Sequence, residues 1–407
     1  MNAPLSGIRV LDMSRILAGP WSAQTFADLG AEVIKIERPG TGDDTRGWGP
    51  PFLKDSDGNE TGEAAYFNSA NRGKKSLTLD IAAPEGQEIV RRLAAKSDVL
   101  LENYKAGGLA RYGLGYEDLK QVNPGIVYCS ITGFGQTGPY KDRAGYDFMI
   151  QGMGGIMSVT GEADDRPGGG PQKIGIALTD ILTGLYTTIA ALSALRLRDV
   201  TGLGQHIDMA LLDVTAATMA NQAMNYLVTG EAPGRLGNAH PNIVPYQAFA
   251  TADHYVIIAV GNDGQYQRYC EFGGRPDLAS DPRFASNADR VKNRNILVAM
   301  IEEMMRTKTR EEWLTGLEKV GVPCGPINDL EQLFDDPQVK ARGTRIDLPH
   351  TLAGTVPQVA NPIKFSDTEL AYTHAAPVLG EHTLDILSGL LELDEEEIAR
   401  LKGEGII

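Results

Sequence analysis

One carboxylate, Asp180, stands at the junction between the short apolar segment IGIAL and the long apolar run Ile181–Leu195. Aspartate is among the residues that best cap a helix by accepting a hydrogen bond from a backbone N–H of the first turn, and this is one interpretation. The other is chemical. A carboxylate held ionised by the helix dipole, with apolar residues behind it and Gly175 and Gly184 nearby, is a suitable nucleophile for acyl transfer. Position in the sequence alone leaves both interpretations open.

A second group of residues is basic and lies next to predicted strands. Arg38 directly follows one strand, the segment Asn71–Lys75 precedes another, and Arg111 lies in GGLARYGLGY. Ligands of open α/β sheets bind beyond the carboxyl ends of the strands, and a phosphorylated ligand needs cations there. Together with Asn71 and Asn103, whose amides can bond an adenine or a ribose, these residues predict a nucleotide-bearing ligand. Taken singly, each cation is equally compatible with a solvated surface charge.

Several other motifs point less clearly to chemistry. Residues 133–138 match GxGxxG, but they follow a late strand, and the polar PYKDR after them is not the helix that a dinucleotide fingerprint requires. His240 is expected to shape a loop, and His382 to cap or pack near the C-terminus. Cys324 would be a nucleophile only beside a histidine, which sequence spacing does not show.

Alternating strands and helices in the first half of the chain must position these residues. The predicted strands are Ile8–Met13, Ala31–Glu37, KSLTLDI, DVLLENY and Gly125–Thr132. Helices that begin near Pro20 and Pro84 separate them, because proline is tolerated in a first helical turn. This strand–helix–strand order predicts an α/β fold with a parallel sheet.

The second half of the chain has a different pattern. Residues 211–228 and about 290–319 predict helices, and short strands are expected on either side of Thr251–His254. A short acidic helix is expected at Leu391–Lys402. These signals place a smaller domain at about residues 226–328.

Composition excludes several classes of protein. The chain has 407 residues, and its 38 basic and 53 acidic side chains give a net charge of −15, which argues against non-specific nucleic-acid binding. Three scattered cysteines predict neither a disulfide framework nor a zinc site, and we expect no metal. The uncharged run Ile181–Leu195 is shorter than the ~20 residues that a membrane span needs. With no secretory signal in the first residues, we expect a cytoplasmic protein without a membrane partner.

Motifs throughout the chain resemble those of the class III CoA-transferases, the family that includes carnitine CoA-transferase and the bile-acid-inducible proteins. They are VLDMSRILAGPWSAQTFADLGAEVIKIERPGTGDDTR, NRGKKSLTLD, ENYKAGGLARYGLGYEDL, YCSITGFGQTGP, AGYDF, TDILTGLY, GNAHPNIVPYQAF, VPCGPIND and PVLGEHT. The resemblance implies a Rossmann-like large domain (1–205), a linker (206–225), a smaller α+β domain (226–328), and a linker and C-terminal segment (329–407) that returns to the large domain. It also implies an interlocked, ring-shaped homodimer.

The resemblance also assigns roles to residues of this chain. The nucleophile of the family falls on Asp180. Contacts to CoA fall on Arg38, Asn71, Lys74, Lys75, Asn103, Tyr104 and Arg111. A lid over the acyl group falls on Gly261, Asn262, Gly264 and Gln265, where GNDGQ replaces the glycine run of formyl-CoA transferase. Leu17 replaces a glutamine of that enzyme, which argues against an oxalate-like acceptor.

The implied reaction moves CoA, the co-substrate, from an acyl-CoA to a free carboxylic acid without a tightly bound cofactor. The resemblance is strongest to members that use succinyl-CoA and a dicarboxylate such as glutarate, and Arg72 or Arg143 could pair with the distal carboxylate. Racemases of the same fold carry histidine in an AGHD motif. Tyr146 stands there in this chain, and a phenol with a pKa of ~10 is a poor base at neutral pH. A racemase-like isomerase, a formyl-CoA or other acyl-CoA transferase of this family, and a non-catalytic CoA-binding protein remain the alternatives.

Overall fold

The computed structural model describes residues 3–407. Its strands are β1 (Arg9–Asp12), β2 (Glu32–Glu37), β3 (Phe52–Lys54), β4 (Glu60–Ala64), β5 (Lys74–Thr78), β6 (Val99–Glu102), β7 (Val127–Thr132), β8 (His206–Ala210), β9 (Tyr246–Ala250), β10 (Tyr255–Ala259), β11 (Cys324–Pro326), β12 (Arg345–His350) and β13 (Gly354–Val359).

The α-helices, in chain order, cover most of the remaining ordered chain. They are α1 (Ala18–Asp28), α2 (Ala65–Asn68), α3 (Pro84–Ala94), α4 (Tyr116–Val122), α5 (Asp147–Met153), α6 (Ile156–Val159), α7 (Leu178–Thr201), α8 (Leu211–Thr218), α9 (Ala220–Thr229), α10 (Asp263–Phe272), α11 (Pro276–Ser280), α12 (Asn287–Lys292), α13 (Arg294–Met305), α14 (Arg310–Lys319), α15 (Leu330–Asp335), α16 (Pro337–Ala341), α17 (Thr383–Asp385) and α18 (Glu395–Gly403). Single 3₁₀ turns lie at Asp44–Gly47, Ala110–Tyr112 and Pro282–Phe284, and a π-helical turn lies at Ile386–Leu390.

The main sheet has the strand order β5-β2-β1-β6-β7-β8, and neighbouring strands all run parallel. This confirms the predicted α/β fold with a parallel sheet. The edge strand β8 was not predicted, because its five residues lie in the segment 206–225 that we expected to be a linker. Since the strands are parallel, their carboxyl ends all lie along one edge of the sheet, where the loops that follow them meet.

Alternate side chains of the sheet enter two different cores. Leu11, Ile34 and Leu100 face one layer, which α3 and the C-terminal helices complete. Val10, Val33, Val99 and Val127 face the other layer, which α1 and α7 complete. The period of two along each strand therefore puts helices on both faces of the sheet, as a parallel sheet requires.

Helix α7 lies directly against α1, and one glycine explains how closely. A Cβ at Gly184 would lie 2.6 Å from the carbonyl oxygen of Ala18, so only glycine fits at this crossing. The Ser22 and Thr188 hydroxyls also bond to each other at 2.9 Å. By length and composition α7 is apolar enough to cross a membrane, although in this fold one face packs in the core. The expected cytoplasmic location remains a prediction.

Contacts between residues group the chain into two compact units. The first contains the described chain up to Gly154, with Gly175–Thr218 and Pro337–Ile407, and the second contains Gly155–Ile174 and Met219–Asp336. The sequence had placed residues 155–174 in the large domain. They join the second unit because Arg235 forms an ion pair with Asp164 and the N–H of Gly237 donates to the carbonyl of Gly161 at 3.0 Å.

The second unit is built on the antiparallel sheet β11-β10-β9. Ala250 at the end of β9 pairs with Tyr255 at the start of β10, which confirms the predicted strands on either side of Thr251–His254. The indole of Trp313 is fully buried in the core and donates to the carbonyl of Met305 at 2.8 Å.

Candidate active site

The side chain of Asp180 does not cap its helix. Asp180 is the third residue of α7, and the N-cap residue is Ala177, which has no side-chain acceptor. The cap comes instead from Asp147, whose Oδ1 accepts from the backbone N–H of Thr179 at 2.8 Å and of Asp180 at 3.4 Å. Gln151 fixes the other oxygen of Asp147 at 2.7 Å. The capping interpretation therefore belongs to Asp147, and the carboxylate of Asp180 is left for another role.

The carboxyl group of Asp180 has an unusual environment. Within residues 3–407, no side chain or backbone N–H forms a hydrogen bond to its oxygens. Burial, and then the charge of the neighbouring Asp147 carboxylate, raise its pKa to about 7. The sequence had suggested a carboxylate held ionised by the helix dipole, but desolvation outweighs the dipole in this structure. The result is a desolvated carboxylate that is ionised above neutral pH and free to attack a carbon.

Asp180 lines a cavity of about 250 Å³ at the carboxyl edge of the sheet. The walls are three loops, which follow β1, β6 and β7. Of the residues predicted from sequence, the cavity brings together Asn103, Tyr104, Arg111, Arg143, Tyr146 and Asp180.

The same cavity has cations that the sequence analysis missed. Arg15, Lys105 and Lys141 line it in addition to Arg111 and Arg143. Arg15 is half-exposed and pairs with Asp44 at 2.8 Å. These residues follow β1, β6 and β7, so the rule that identified Arg38 after β2 would have found them had it been applied to every strand. The cavity is therefore electropositive although the chain as a whole is acidic, and it suits an anionic ligand.

Two further cavities extend from this one along the sheet edge. Arg15 and Tyr104 line a neighbouring cavity of about 430 Å³ that also contains Arg38. Arg38 and Tyr104 then line a smaller one with Leu79, Ile81 and Tyr112. Shared walls join the three cavities into one groove, which leads from Asp180 to Arg38 and suits a long ligand.

Asn71, Lys74 and Lys75 lie outside this groove. Lys74 and Lys75 begin β5, so they lie at the amino ends of the strands rather than the carboxyl ends. The Lys74 ammonium is fully buried and bonds to Asp12 at 2.9 Å, to the Pro20 carbonyl at 3.0 Å and to Asn71 at 2.7 Å. Lys75 pairs with Glu32 at 2.6 Å. These three side chains are bound within the protein, which corrects their assignment to the nucleotide.

Two more predicted contacts have internal partners. The Asn103 side chain brackets the backbone of Arg15, accepting from its N–H at 2.9 Å and donating to its carbonyl at 2.7 Å. Arg72 is buried in a two-point ion pair with Asp28, at 2.7 and 2.6 Å, beside a separate apolar cavity of about 750 Å³ that does not contain Asp180. Of the two arginines predicted for the distal carboxylate, only Arg143 lines the Asp180 cavity. Its guanidinium lies 4.6 Å from the ring of Tyr140.

The predicted lid belongs to the second unit. Asn262 is the N-cap of α10 and its side chain accepts from the N–H of Gln265 at 2.9 Å, while Gln265 accepts from the N–H of Gly261 at 2.7 Å. Asp263 pairs with the buried Arg290 at 2.7 Å. The segment Gly261–Gln265 is therefore the capped start of a helix rather than a loose glycine loop, and its role as a lid remains a prediction.

Comparisons with known proteins agree with this geometry. Residues 5–383 match the family model described as CoA-transferase family III. A succinate–glutarate CoA-transferase of Agrobacterium fabrum is 52% identical over 387 residues, which are 95% of this chain and 96% of that protein. The mouse succinyl-CoA:glutarate CoA-transferase is 42% identical over 99% of this chain and 90% of its own length. A crystal structure of a CAIB/BAIF family protein from Brucella suis is 55% identical, covers 97% of this chain and 100% of its own, and superposes with a TM-score of 0.83.

Proposed function

The chain belongs to CoA-transferase family III and is a CoA-transferase, and from this premise we propose that it moves CoA from succinyl-CoA to a dicarboxylate such as glutarate. One observation supports the chemistry above all. The carboxylate of Asp180 has no hydrogen-bond partner within residues 3–407, and it lies in an electropositive cavity that continues as a groove to Arg38. The names of the relatives support the choice of substrates.

The first half of the proposed reaction transfers CoA to the enzyme. The ionised carboxylate of Asp180 attacks the thioester carbon of succinyl-CoA, the carbon–sulfur bond breaks, and CoA leaves as a thiolate. This gives a mixed anhydride between Asp180 and succinate. The thiolate then attacks the aspartyl carbonyl, which releases succinate and leaves an aspartyl-CoA thioester.

The second half reverses these steps with a new acid. A carboxylate of glutarate attacks the aspartyl-CoA carbonyl and expels the thiolate, giving an aspartyl-glutaryl anhydride. The thiolate attacks the glutaryl carbon of this anhydride, so glutaryl-CoA forms and the Asp180 carboxylate is regenerated. Each step breaks one acyl bond and forms another, and no ATP is consumed. Water must be kept from the anhydrides, and Gly261–Gln265 is the segment we propose for this task.

The groove supports a specific placement of CoA. We place the phosphates near Arg38, Arg111 and Arg15, because charge-assisted bonds from arginine suit phosphate oxygens. The Tyr104 ring, shared by all three cavities, lies where it can contact the middle of the molecule. The thioester end then reaches Asp180.

A panel of acids tests this function. The protein is incubated with succinyl-CoA and glutarate, a hydroxymethylglutarate-like acid, oxalate or formate, without ATP, and acyl-CoA products are measured by mass spectrometry. We expect glutaryl-CoA and free succinate in equal amounts. Deuterium exchange at the acyl α-carbon without a change of acid would instead identify a racemase-like isomerase.

The pH dependence of the reaction should follow the ionisation of Asp180. We expect kcat/KM for succinyl-CoA to rise with pH through a single step near 7, because only the ionised carboxylate attacks. Asp147→Asn removes a like charge, which stabilises ionised Asp180, lowers its pKa and moves the step to lower pH. Asparagine keeps an oxygen that can still cap α7. The exposed Asp142→Asn carries the same charge change and should leave the step in place, whereas an unmoved step in Asp147→Asn would contradict this account.

Arg143 is proposed to bind the distal carboxylate of the acceptor. Arg143→Ala should raise the KM for glutarate by about 10- to 100-fold, the usual worth of a hydrogen bond to a charged group, and change the KM for succinyl-CoA much less. Arg143→Lys keeps the charge and should recover part of the loss. Pentanoate, which has no distal carboxylate, serves as the control acceptor and should be used equally by both proteins. Equal losses with glutarate and pentanoate would exclude this role.

We propose that the protein is a homodimer, which the family resemblance implies. The outer face of α7 supports this, because its apolar residues Tyr186, Ile189, Leu197 and Val200 are exposed, Val200 by 71%. Contiguous exposed apolar surface of this kind is typical of an interface. Sedimentation equilibrium at micromolar concentration should give the mass of two chains, and a monomer would contradict the proposal.

A further inference from the structure

The loop between β1 and α1 contains a residue in a strained conformation. Ile16 has a φ of 73°, in the left-handed region that a β-branched side chain rarely adopts. Ile16 and its neighbours Arg15, Leu17 and Ala18 form one wall of the Asp180 cavity. Strained residues persist only where their surroundings force the conformation, and at active sites they often serve the mechanism.

Two side chains from other parts of the chain hold this loop. Asn103, which follows β6, brackets the N–H and the carbonyl of Arg15. The N–H of Ile16 is held by Asp43, whose two carboxylate oxygens both lie 3.2 Å from the nitrogen. The backbone on the N-terminal side of the strained bond is therefore fixed from two directions.

Asp43 is itself held firmly. Its Oδ1 accepts from the N–H of Thr45 at 3.0 Å and from the hydroxyl of Thr45 at 2.8 Å, and its Oδ2 lies 2.9 Å from the ammonium of Lys35. Lys35 is fully buried and also donates to the carbonyl of Ser14 at 2.8 Å, just before the strained loop.

The electrostatics keep this acceptor charged. Burial alone would raise the pKa of Asp43, but the Lys35 ammonium and the bonds from Thr45 hold the pKa well below its usual range. The burial of Lys35 is likewise offset by Asp43, Asp12 and Glu37. Asp43 is thus a permanent anion facing the Ile16 N–H, and charge-assisted bonds are stronger than neutral ones.

We propose that Asp43 is a positioning residue, whose carboxylate, anchored by Lys35, holds Ile16 in the left-handed conformation and so fixes the Arg15–Ala18 wall opposite Asp180. Its catalytic consequence rests on the proposed CoA transfer. Without this anchor Ile16 relaxes to negative φ, and Arg15 and the start of α1 move away from their places in the cavity. Displacement of a positioning group by about 1 Å can reduce a rate on the order of 100-fold.

A double-mutant cycle between residues 43 and 16 tests the proposal. Asp43→Ala should lower kcat for succinyl-CoA and glutarate on the order of 100-fold. Glycine adopts the left-handed region without strain, so Ile16→Gly no longer needs the anchor and, added to Asp43→Ala, should restore most of the lost kcat. Ile16→Gly alone gives the reference for the lost side chain. Asp43→Asn, which keeps an oxygen for Thr45 and Ile16, is the milder variant if Asp43→Ala does not fold.

A control separates positioning from general stability. Asp28→Asn also removes a buried carboxylate from an ion pair, and Asp28 does not contact the Arg15–Ala18 loop. It should lower Tm and leave kcat within a few-fold of the wild type. If Ile16→Gly restores nothing, or if the Asp43 variants keep wild-type kcat, the proposal is overturned.

A structural readout keeps the proposal independent of the assigned substrate. Hydrogen exchange of a peptide covering residues 13–18 in the ligand-free protein should accelerate in Asp43→Ala, because the Ile16 amide loses its acceptor, and should be unchanged in Asp28→Asn. If the wild type transfers no CoA, the proposed function fails while this exchange still reports on the anchor. If transfer is normal and exchange is unaffected by Asp43→Ala, the anchor fails and the function stands.

Discussion

Asp180→Ala is expected to reduce CoA transfer by at least about 10⁴-fold, because loss of a covalent nucleophile removes the whole two-step route. The carboxylate lies in the first turn of α7, and no other predicted site residue in its cavity offers a carboxylate. Initial rates with succinyl-CoA and glutarate measure the loss. The Kd for free CoA should change little, because the cations that we propose for its phosphates lie elsewhere in the groove.

Trapping identifies the residue directly. After incubation with succinyl-CoA, hydroxylamine or borohydride should modify wild-type protein on the peptide that contains Asp180, and leave Asp180→Ala unmodified. Asp180→Asn keeps the size and shape of the side chain but cannot form the anhydride, so it should be as inactive as alanine. Substantial turnover by either variant, or trapping at another residue, would contradict the assignment.

Asp180→Asn also carries a stability signature. The pKa of Asp180 is raised in the folded protein from 3.8 to about 7, so ionisation of this group disfavours folding. The cost is absent below pH 4, grows between pH 4 and 7, and is fully present above that range. Asp180→Asn removes it, so the variant should be more stable than the wild type at pH 8 and similar at pH 4. A nucleophile kept at the expense of stability is expected of an active site.

Arg72→Ala is expected to destabilise the protein by about 3–5 kcal/mol, because it leaves the buried Asp28 carboxylate without its cation. The Arg72 guanidinium bonds to Asp28 at two points and donates to the carbonyl of Val359 at 2.9 Å. It thereby ties α1 to the end of β13. Urea unfolding of the two proteins measures the difference.

The same variant decides between the sequence and the structural account of Arg72. If Arg72 bound the acceptor, its loss would raise the KM for glutarate. We expect that KM to be unchanged in the folded fraction. Replacing the pair together, as Arg72→Met with Asp28→Leu, should recover much of the stability, because neither charge is then buried alone. A normal Tm with a raised KM for glutarate would contradict the structural role.

Much of the fold was predictable because it depends on short-range patterns. Prolines at helix starts, glycines at helix ends and apolar segments of strand length predict the order of elements, and this order requires a parallel sheet. The edge strand β8 was missed for the same reason. Its five residues, HIDMA, alternate in burial and carry too weak an apolar signal to stand out from a linker.

The catalytic candidate was also predictable, but its environment was not. Sequence motifs pointed to Asp180, yet whether it capped α7 depended on a residue 33 positions away, Asp147. The cations of the groove follow strand ends and could be inferred one by one. Their assembly around one cavity depends on the order of strands in the sheet, which the sequence did not show.

By itself, the sequence determined the class of fold, the family motifs and the identity of the candidate nucleophile. Only the tertiary structure decided which charged side chains are free to meet a ligand. Lys74 and Arg72 look like ligand-binding cations in the sequence, but burial makes an unpaired charge costly, so each lies against a carboxylate brought from a distant segment. The partner of Arg72 is 44 residues away and the acceptor that holds Ile16 is 27 residues away, and such pairings follow from how the layers pack rather than from local pattern.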